Sequence, residues 1–365
     1  MYEQIKQFMR KPNYDKFPST VIAGTIFQGW DEIRGVLSDC LKSKNVLAVD
    51  CYTGVYEEEL VRELSKLSAR LVLVRDLYKE ESELRCMTER FMTEDVLFGY
   101  VTNLCISDYF DVEKLEDARR CACDASTPLI IIGTGAGMVA PGATLLYVDM
   151  ARWEIQQRCR RHEVKALGID NREDAVSLQY KRGYFNDWRI CDRYKSTLFE
   201  HVDYWLDSHI PGSPKMIDRQ TFYKGIDKTA SKPFRVVPYF DQAPWGGQWM
   251  KEVCDLDPDV PNYGWCFDCV PEENSLYLEV NGVRFELPSV DLVLLKSKEL
   301  LGEPVEARFG KEFPIRFDFL DTMGGGNLSL QVHPTTQFIH ENFGMFYTQD
   351  ESYYLLDAEE DAVVY

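Results

Sequence analysis

Apolar residues follow two kinds of pattern along this chain. Up to about Ser208, short unbroken apolar runs alternate with stretches of helical period. The runs Thr20–Phe27, Asn45–Asp50, Arg70–Arg75, Pro128–Gly133 and Thr144–Asp149 read as buried strands. Trp30–Cys40, Glu57–Leu67, Val112–Cys123 and Ala151–Arg161 read as helices between or after them. Runs without alternation suit strands covered on both faces. The N-terminal part is therefore expected to be α/β, a mostly parallel sheet with helices on both faces. Ile210–Lys215 is a Pro/Gly/Ser break, and little periodicity follows it as far as Pro233. From about Phe234, short strands bounded by Gly, Pro and Asp turns predict an all-β jelly-roll type of barrel. The expected organisation is an α/β domain over residues 1–209, a linker over 210–235 and a β domain over 236–365.

One late stretch carries chemistry as well as pattern. In Asn327–Pro334, Ser329, Gln331 and His333 alternate with Leu328, Leu330 and Val332. That alternation predicts a strand with Gln331 and His333 on one face. A second strand, Ser352–Leu356, is expected just after Glu351. If the two strands are neighbours, Gln331, His333 and Glu351 converge. An imidazole nitrogen with two side-chain oxygens suits zinc or a similar divalent ion that keeps a position open for substrate.

Composition narrows the setting. The 365 residues are enough for two domains, and 45% hydrophobic with 28% charged is the balance of a soluble globular protein. No run at the N-terminus reads as a signal peptide, and no apolar run reaches the length of a membrane span. A cytoplasmic protein with eleven reduced cysteines is expected. Cys266 and Cys269 have no second pair at zinc-site spacing and read as strand cysteines. A net charge of −19 argues against nucleic acid as a partner. A phosphorylated ligand would need a local cationic pocket against that field.

Two glycine turns invite comparison with phosphate sites. Asp50–Glu58 joins a strand to a helix and, with Leu145–Arg161, resembles uridine-kinase-like P-loop proteins over the first half of the chain. Aligned on Gly54, however, Cys51 and Tyr56 stand where glycines are needed. Glu57 takes the place of the phosphate-binding lysine, and Glu58 that of the Mg²⁺-binding hydroxyl. Carboxylates in a first helical turn suit the dipole but repel a triphosphate, so a degenerate, kinase-like scaffold is expected. Gly133–Gly137 has Met138 where a third fingerprint glycine belongs and reads as a tight strand-to-loop turn. His201 and His209 are expected at the surface or a boundary. The aromatic and basic run Tyr180–Ser208 is expected as an amphipathic helix.

The β part resembles class I mannose-6-phosphate isomerases. Pro244–Met250, Tyr263–Ser275, Leu300–Gly302 and Phe313–Asp321 follow the family order ahead of Gln-Val-His-Pro, so the resemblance covers about residues 236–365. It implies a cupin barrel, here incomplete, with Gln331, His333 and Glu351 as three ligands of one Zn²⁺. It also implies a phosphorylated hexose substrate, mannose 6-phosphate, interconverted with fructose 6-phosphate by a proton moved between adjacent carbons. The family commonly has Lys two residues before its ligand Glu; Gln349 stands there, and Thr335 and Thr336 follow His-Pro where acids are common. The family's last metal-binding His has no counterpart after Glu351, and His340 is the nearby alternative. An apolar run at Glu360–Tyr365 reads as an unpaired edge strand that favours a homo-oligomer. Two functions are thus expected: a zinc-dependent aldose–ketose isomerase, or a non-catalytic sugar-phosphate or nucleotide sensor built from decayed kinase and isomerase domains.

Overall fold

The computed structural model describes residues 12–364. In chain order its strands are β1 (Ser19–Ile22), β2 (Ile26–Gln28), β3 (Val46–Cys51), β4 (Arg70–Leu73), β5 (Leu129–Ile132), β6 (Thr144–Asp149) and β7 (Tyr204–Asp207). They continue with β8 (Lys215–Asp218), β9 (Tyr239–Asp241), β10 (Trp265–Cys269), β11 (Ser275–Val280), β12 (Val283–Pro288) and β13 (Phe317–Leu320). Seven of them form the main sheet in the order β2-β8-β7-β6-β3-β5-β4. The five strands from β7 to β4 are parallel, and β8 and β2 extend the sheet antiparallel. Every residue of β3, β5 and β6 is buried, which is why these runs show no alternation. The helix Val112–Cys123 starts where Asp111 accepts the Lys114 N–H at 3.0 Å.

The first apolar run divides into two strands. Between them lies Gly24, where a Cβ would stand 2.5 Å from Thr221 Oγ1 and Cγ2. Only β2 stays in the main sheet. β1 pairs in parallel with β11, and β11 pairs antiparallel with β12, giving a second sheet of order β1-β11-β12. Leu276, Leu278, Val280, Phe285 and Leu287 of this hairpin belong to the same buried cluster as Ile22, Leu47 and Leu146.

The stretch expected as a linker is ordered differently. It holds β8, the neighbour of β7, and the helix Arg219–Ala230. Met216 and Ile217 supply only two apolar positions, too few to show a period. The helix follows an Asp218 cap that accepts the Thr221 N–H at 2.8 Å. It lies so close to β11 that a Cβ on Gly225 would stand 2.4 Å from Leu278 Cδ1.

A third sheet, β13-β10-β9, is antiparallel. Its inner face joins Cys266, Met250 and Tyr263 to Tyr14, Phe240 and Phe319 in a separate small core. Among the described residues these strands do not close into a barrel. The predicted strands Asn327–Pro334 and Ser352–Leu356 are irregular, and Leu330 and Val332 are each 88% exposed. Alternation alone does not hold a strand; it needs a neighbour to complete its hydrogen bonds, and none of the described strands pairs with them. Residues 360–364 are likewise not a strand, and Tyr365 lies outside the described residues. No helix among the described residues is long and apolar enough to cross a membrane.

Candidate functional site

Open parallel sheets place their chemistry at the carboxyl ends of the strands. Three such ends here carry an aspartate: Asp50 on β3, Asp149 on β6 and Asp207 on β7, all buried. Each follows an apolar run and is held by a different set of partners.

The turn after β3 spends its own polar groups internally. The N–H of Tyr52 donates to Val148 O at 2.9 Å, that of Val55 to Tyr52 O at 3.4 Å and that of Glu57 to Val55 O at 3.0 Å. Gly54 has φ +85°, and a Cβ there would lie 2.9 Å from Ile155. Its carbonyl accepts the fully buried Arg158 guanidinium at 2.9 Å, and Arg158 also lies 3.8 Å over the Tyr56 ring. The helix Glu57–Leu64 opens on three glutamates. Arg75 pairs with Glu58 at 3.1 Å and stands 3.6 Å from Glu57. Burial pushes Glu57 up to about 7, against the pull of Arg75. A phosphate chain would meet carboxylates here and few open donors.

The second glycine turn is a cradle that already holds an anion. Gly133 and Gly135 take φ +130° and +102°, and the N–H groups of Gly135 and Gly137 point at one carboxylate. That carboxylate is Asp50, at 3.0 Å and 2.8 Å, with the Tyr194 hydroxyl donating a third bond at 2.6 Å. Convergent backbone N–H groups of this kind bind anions in general. Burial pushes Asp50 up to about 6, although all three donors favour its charged form.

Deeper in the sheet, Lys195 Nζ lies 3.1 Å from both Asp149 oxygens and 2.6 Å from Asp291 Oδ1, with the Tyr52 ring 4.7 Å away. Burial and the neighbouring Asp149 hold Asp291 well above the usual carboxylate range, against the pull of Lys195. Asp192 accepts Tyr52 OH at 2.7 Å and pairs with Arg152.

The histidine expected near the surface, His209, is instead 6% exposed. Its Nδ1 lies 2.9 Å from Asp207 Oδ1, and the Ala151 N–H donates to Nε2 at 3.0 Å, which places the ring proton on Nδ1. Asp207 Oδ2 accepts Lys215 Nζ and the Glu286 N–H, both at 3.0 Å. Burial alone would raise Asp207, but the bond from His209, the nearby Lys215 cation and the Glu286 N–H lower it to about 2. Glu286 comes from β12 and accepts Ser275 Oγ at 2.5 Å. The hairpin is thus fastened to the strand ends through charge.

These groups set a pH dependence. Asp50 at about 6, and Glu57 and Glu273 at about 7, all lie above the ordinary carboxylate range because of burial. A raised acid binds more protons folded than unfolded, so stability falls as pH rises from about 4 through 7. Asp207 works oppositely, but only as pH falls below the ordinary carboxylate range towards 2. Urea unfolding is expected to give a higher stability at pH 5 than at pH 7.5, with Asp50 alone contributing roughly 1–1.5 kcal/mol over that interval. A flat or rising profile would show that these carboxyls are charged at no cost.

Of the three expected metal ligands, two meet. His333 Nε2 lies 2.8 Å from Glu351 Oε2, with the Gln349 amide donating to the same oxygen at 3.3 Å. Gln331 is exposed and bonds to neither. His340 lies on the helix Thr336–Phe343 with its ring 6.2 Å from Phe346, apart from the pair. Among the described residues no three His, Cys, Asp or Glu side chains stand together as a metal-holding group. The donor types suit zinc, but the full set is not assembled. Asp318 on β13 feels the pair: burial first and then the Glu351 charge push it up, with Arg316 opposing, to about 6.

Comparison with known proteins gives one match. The family described as a domain of unknown function (DUF8485) matches residues 29–231, more than half of the chain. No curated protein and no solved structure matches.

Proposed function

The chain belongs to this DUF8485 family, whose match ends at residue 231, and from that premise we propose that its chemistry lies beyond the matched part, as a zinc-dependent isomerase of mannose 6-phosphate and fructose 6-phosphate. The observation that carries this reading is the His333–Glu351 pair at 2.8 Å, formed between two segments that lack strand structure. An imidazole nitrogen and a carboxylate oxygen are zinc donors, and Gln331 would join them from the adjoining segment. Bound there, zinc would polarise the sugar carbonyl. The chain's own part is to hold the phosphosugar and move a proton between adjacent carbons. Asp318, with a carboxyl held near 6 and Oδ1 free of any hydrogen-bond partner, is the group suited to that transfer. A cytoplasmic setting belongs to this reading, and all eleven cysteines are free thiols.

A second reading, a non-catalytic phosphosugar or nucleotide sensor, is favoured by the closed state of the α/β strand ends, where Asp50 fills the glycine cradle. Isomerisation of mannose 6-phosphate, followed by NMR on zinc-loaded and chelated protein, separates the two. Turnover is expected to disappear on chelation and to fall at least about 100-fold in His333→Ala. Folded, zinc-loaded protein without turnover would remove the isomerase and leave the sensor.

A further inference from the structure

Away from the strand ends, an open groove of about 860 Å³ runs along the helix Arg219–Ala230. Arg219, Lys224 and Lys228 line it, together with Tyr223. Neutral oxygens hold these cations in place. Lys224 Nζ donates to Ala23 O and Lys228 Nζ to Val21 O, each at 2.7 Å. Arg219 donates to Val202 O and Glu200 O, both at 2.7 Å, and stands 3.8 Å from Asp203. A carbonyl fixes an ammonium without cancelling its charge, and each ammonium keeps donors to spare. Neither lysine forms an ion pair among the described residues. Asp227, the carboxylate in the lining, is taken by Lys296 at 2.7 Å. In a chain of net charge −19 this groove is a local reversal of the field.

The complementary charge lies late in the same chain. Asp357, Glu359, Glu360 and Asp361 fall within one short segment, and every residue from 351 to 364 is exposed. None of these four carboxylates forms an ion pair among the described residues. Two local bonds shape the segment, from the Ala358 N–H to Asp357 at 2.9 Å and from the Ala362 N–H to Glu359 O at 3.1 Å. Leu355 and Leu356 precede the acids and Val363 and Val364 follow, each more than half exposed. The lengths also agree. Arg219 to Lys228 is a rise of about 14 Å along a helix, and Asp357–Asp361 drawn out as a strand spans about 13 Å.

We propose that the groove is a docking surface for a second copy of this chain and takes its segment Asp357–Asp361. The carboxylates meet Arg219, Lys224 and Lys228, and the flanking leucines and valines lie on Tyr223 and the lysine stems. Within one molecule no hydrogen bond or ion pair among the described residues links the segment to the groove. The overall charge of −19 opposes association at long range, so the contact is local and reciprocal. In a two-fold pair each groove holds the other molecule's segment, and the attraction is gained twice.

Sedimentation velocity on the full chain at about 100 μM is expected to give a species of twice the chain's mass, since a micromolar contact is saturated there. Two charge-reversed variants carry the test. One has Lys224→Glu and Lys228→Glu in the groove; the other has Glu359→Lys, Glu360→Lys and Asp361→Lys in the segment. All of these positions are exposed, so folding is not at stake. Each variant alone is expected to lose the dimer, with association weakened at least about 100-fold. An equal mixture of the two is expected to restore it, because the reversed groove takes the reversed segment and the unchanged groove takes the unchanged one. Damage to the fold of either variant would not be repaired by mixing. The proposal is overturned if the parent chain is a monomer at that concentration, as it would be with each segment on its own groove. It is also overturned if either variant dimerises as the parent does, or if the mixture stays monomeric.

Discussion

Lys195→Met is expected to cost the protein about 3–5 kcal/mol, a large part of the total stability of an ordinary domain. Methionine fills much the same volume, so the loss comes from electrostatics rather than from a cavity. Lys195 is the cation that holds Asp149 and Asp291, at 3.1 Å and 2.6 Å, and all three are buried. Without it, two acids share a site that water does not reach, and at least one must take up a proton or break out. Urea unfolding followed by tryptophan fluorescence would read the loss as a midpoint lower by roughly 1–2 M. Adding Asp291→Asn to Lys195→Met should recover part of it, because one of the two uncompensated acids is gone. A midpoint shift below a few tenths of molar would mean that the triad is solvated and the burial argument is wrong.

Asp50→Asn is expected to cost about 2–4 kcal/mol despite its near-identical shape. The Asp50 carboxylate accepts three bonds, two from glycine N–H groups and one from Tyr194. An amide has one accepting oxygen, and its NH₂ would face a donor whichever way it turns. The same variant carries a second signature. Asp50 at about 6 contributes part of the fall in stability between pH 5 and pH 7.5, and that part should vanish from the variant's profile. Equal stability of variant and parent at pH 7.5, with an unchanged profile, would contradict the assignment of Asp50 as the anion of the glycine cradle.

The sequence revealed whatever has a period or a sharp chemical boundary. Helix Val112–Cys123 and strand β6 lie where their patterns end, because Asp111 caps the one and complete burial defines the other. The three strand-end aspartates were also legible in principle, since a carboxylate closing an apolar run has few bland explanations. What stayed hidden depends on partners far along the chain. Lys195 looks like any helical lysine until Asp149 and Asp291 are brought to it. His209 looks solvated until Asp207 and the Ala151 N–H are seen on its two nitrogens. The alternation in Asn327–Pro334 predicts a strand, yet the described chain offers no neighbouring strand there. The His333–Glu351 contact forms although neither of the strands on which its convergence was expected is present.

The pairing of β1 with β11 has a consequence for synthesis. Ser19 bonds to Glu279, 260 residues further on, so the first described strand cannot find its sheet until the hairpin has left the ribosome. At ordinary elongation rates that is a wait of roughly tens of seconds. During it the parallel sheet can assemble, while Thr20 and Ile22, buried in the finished protein, remain exposed to chaperones or to strand edges of neighbouring nascent chains. Closure of this first segment is therefore a late event in the life of each new molecule, and a polysome-bound chain should show Ser19–Ile22 protease-sensitive long after β3–β7 resist cleavage.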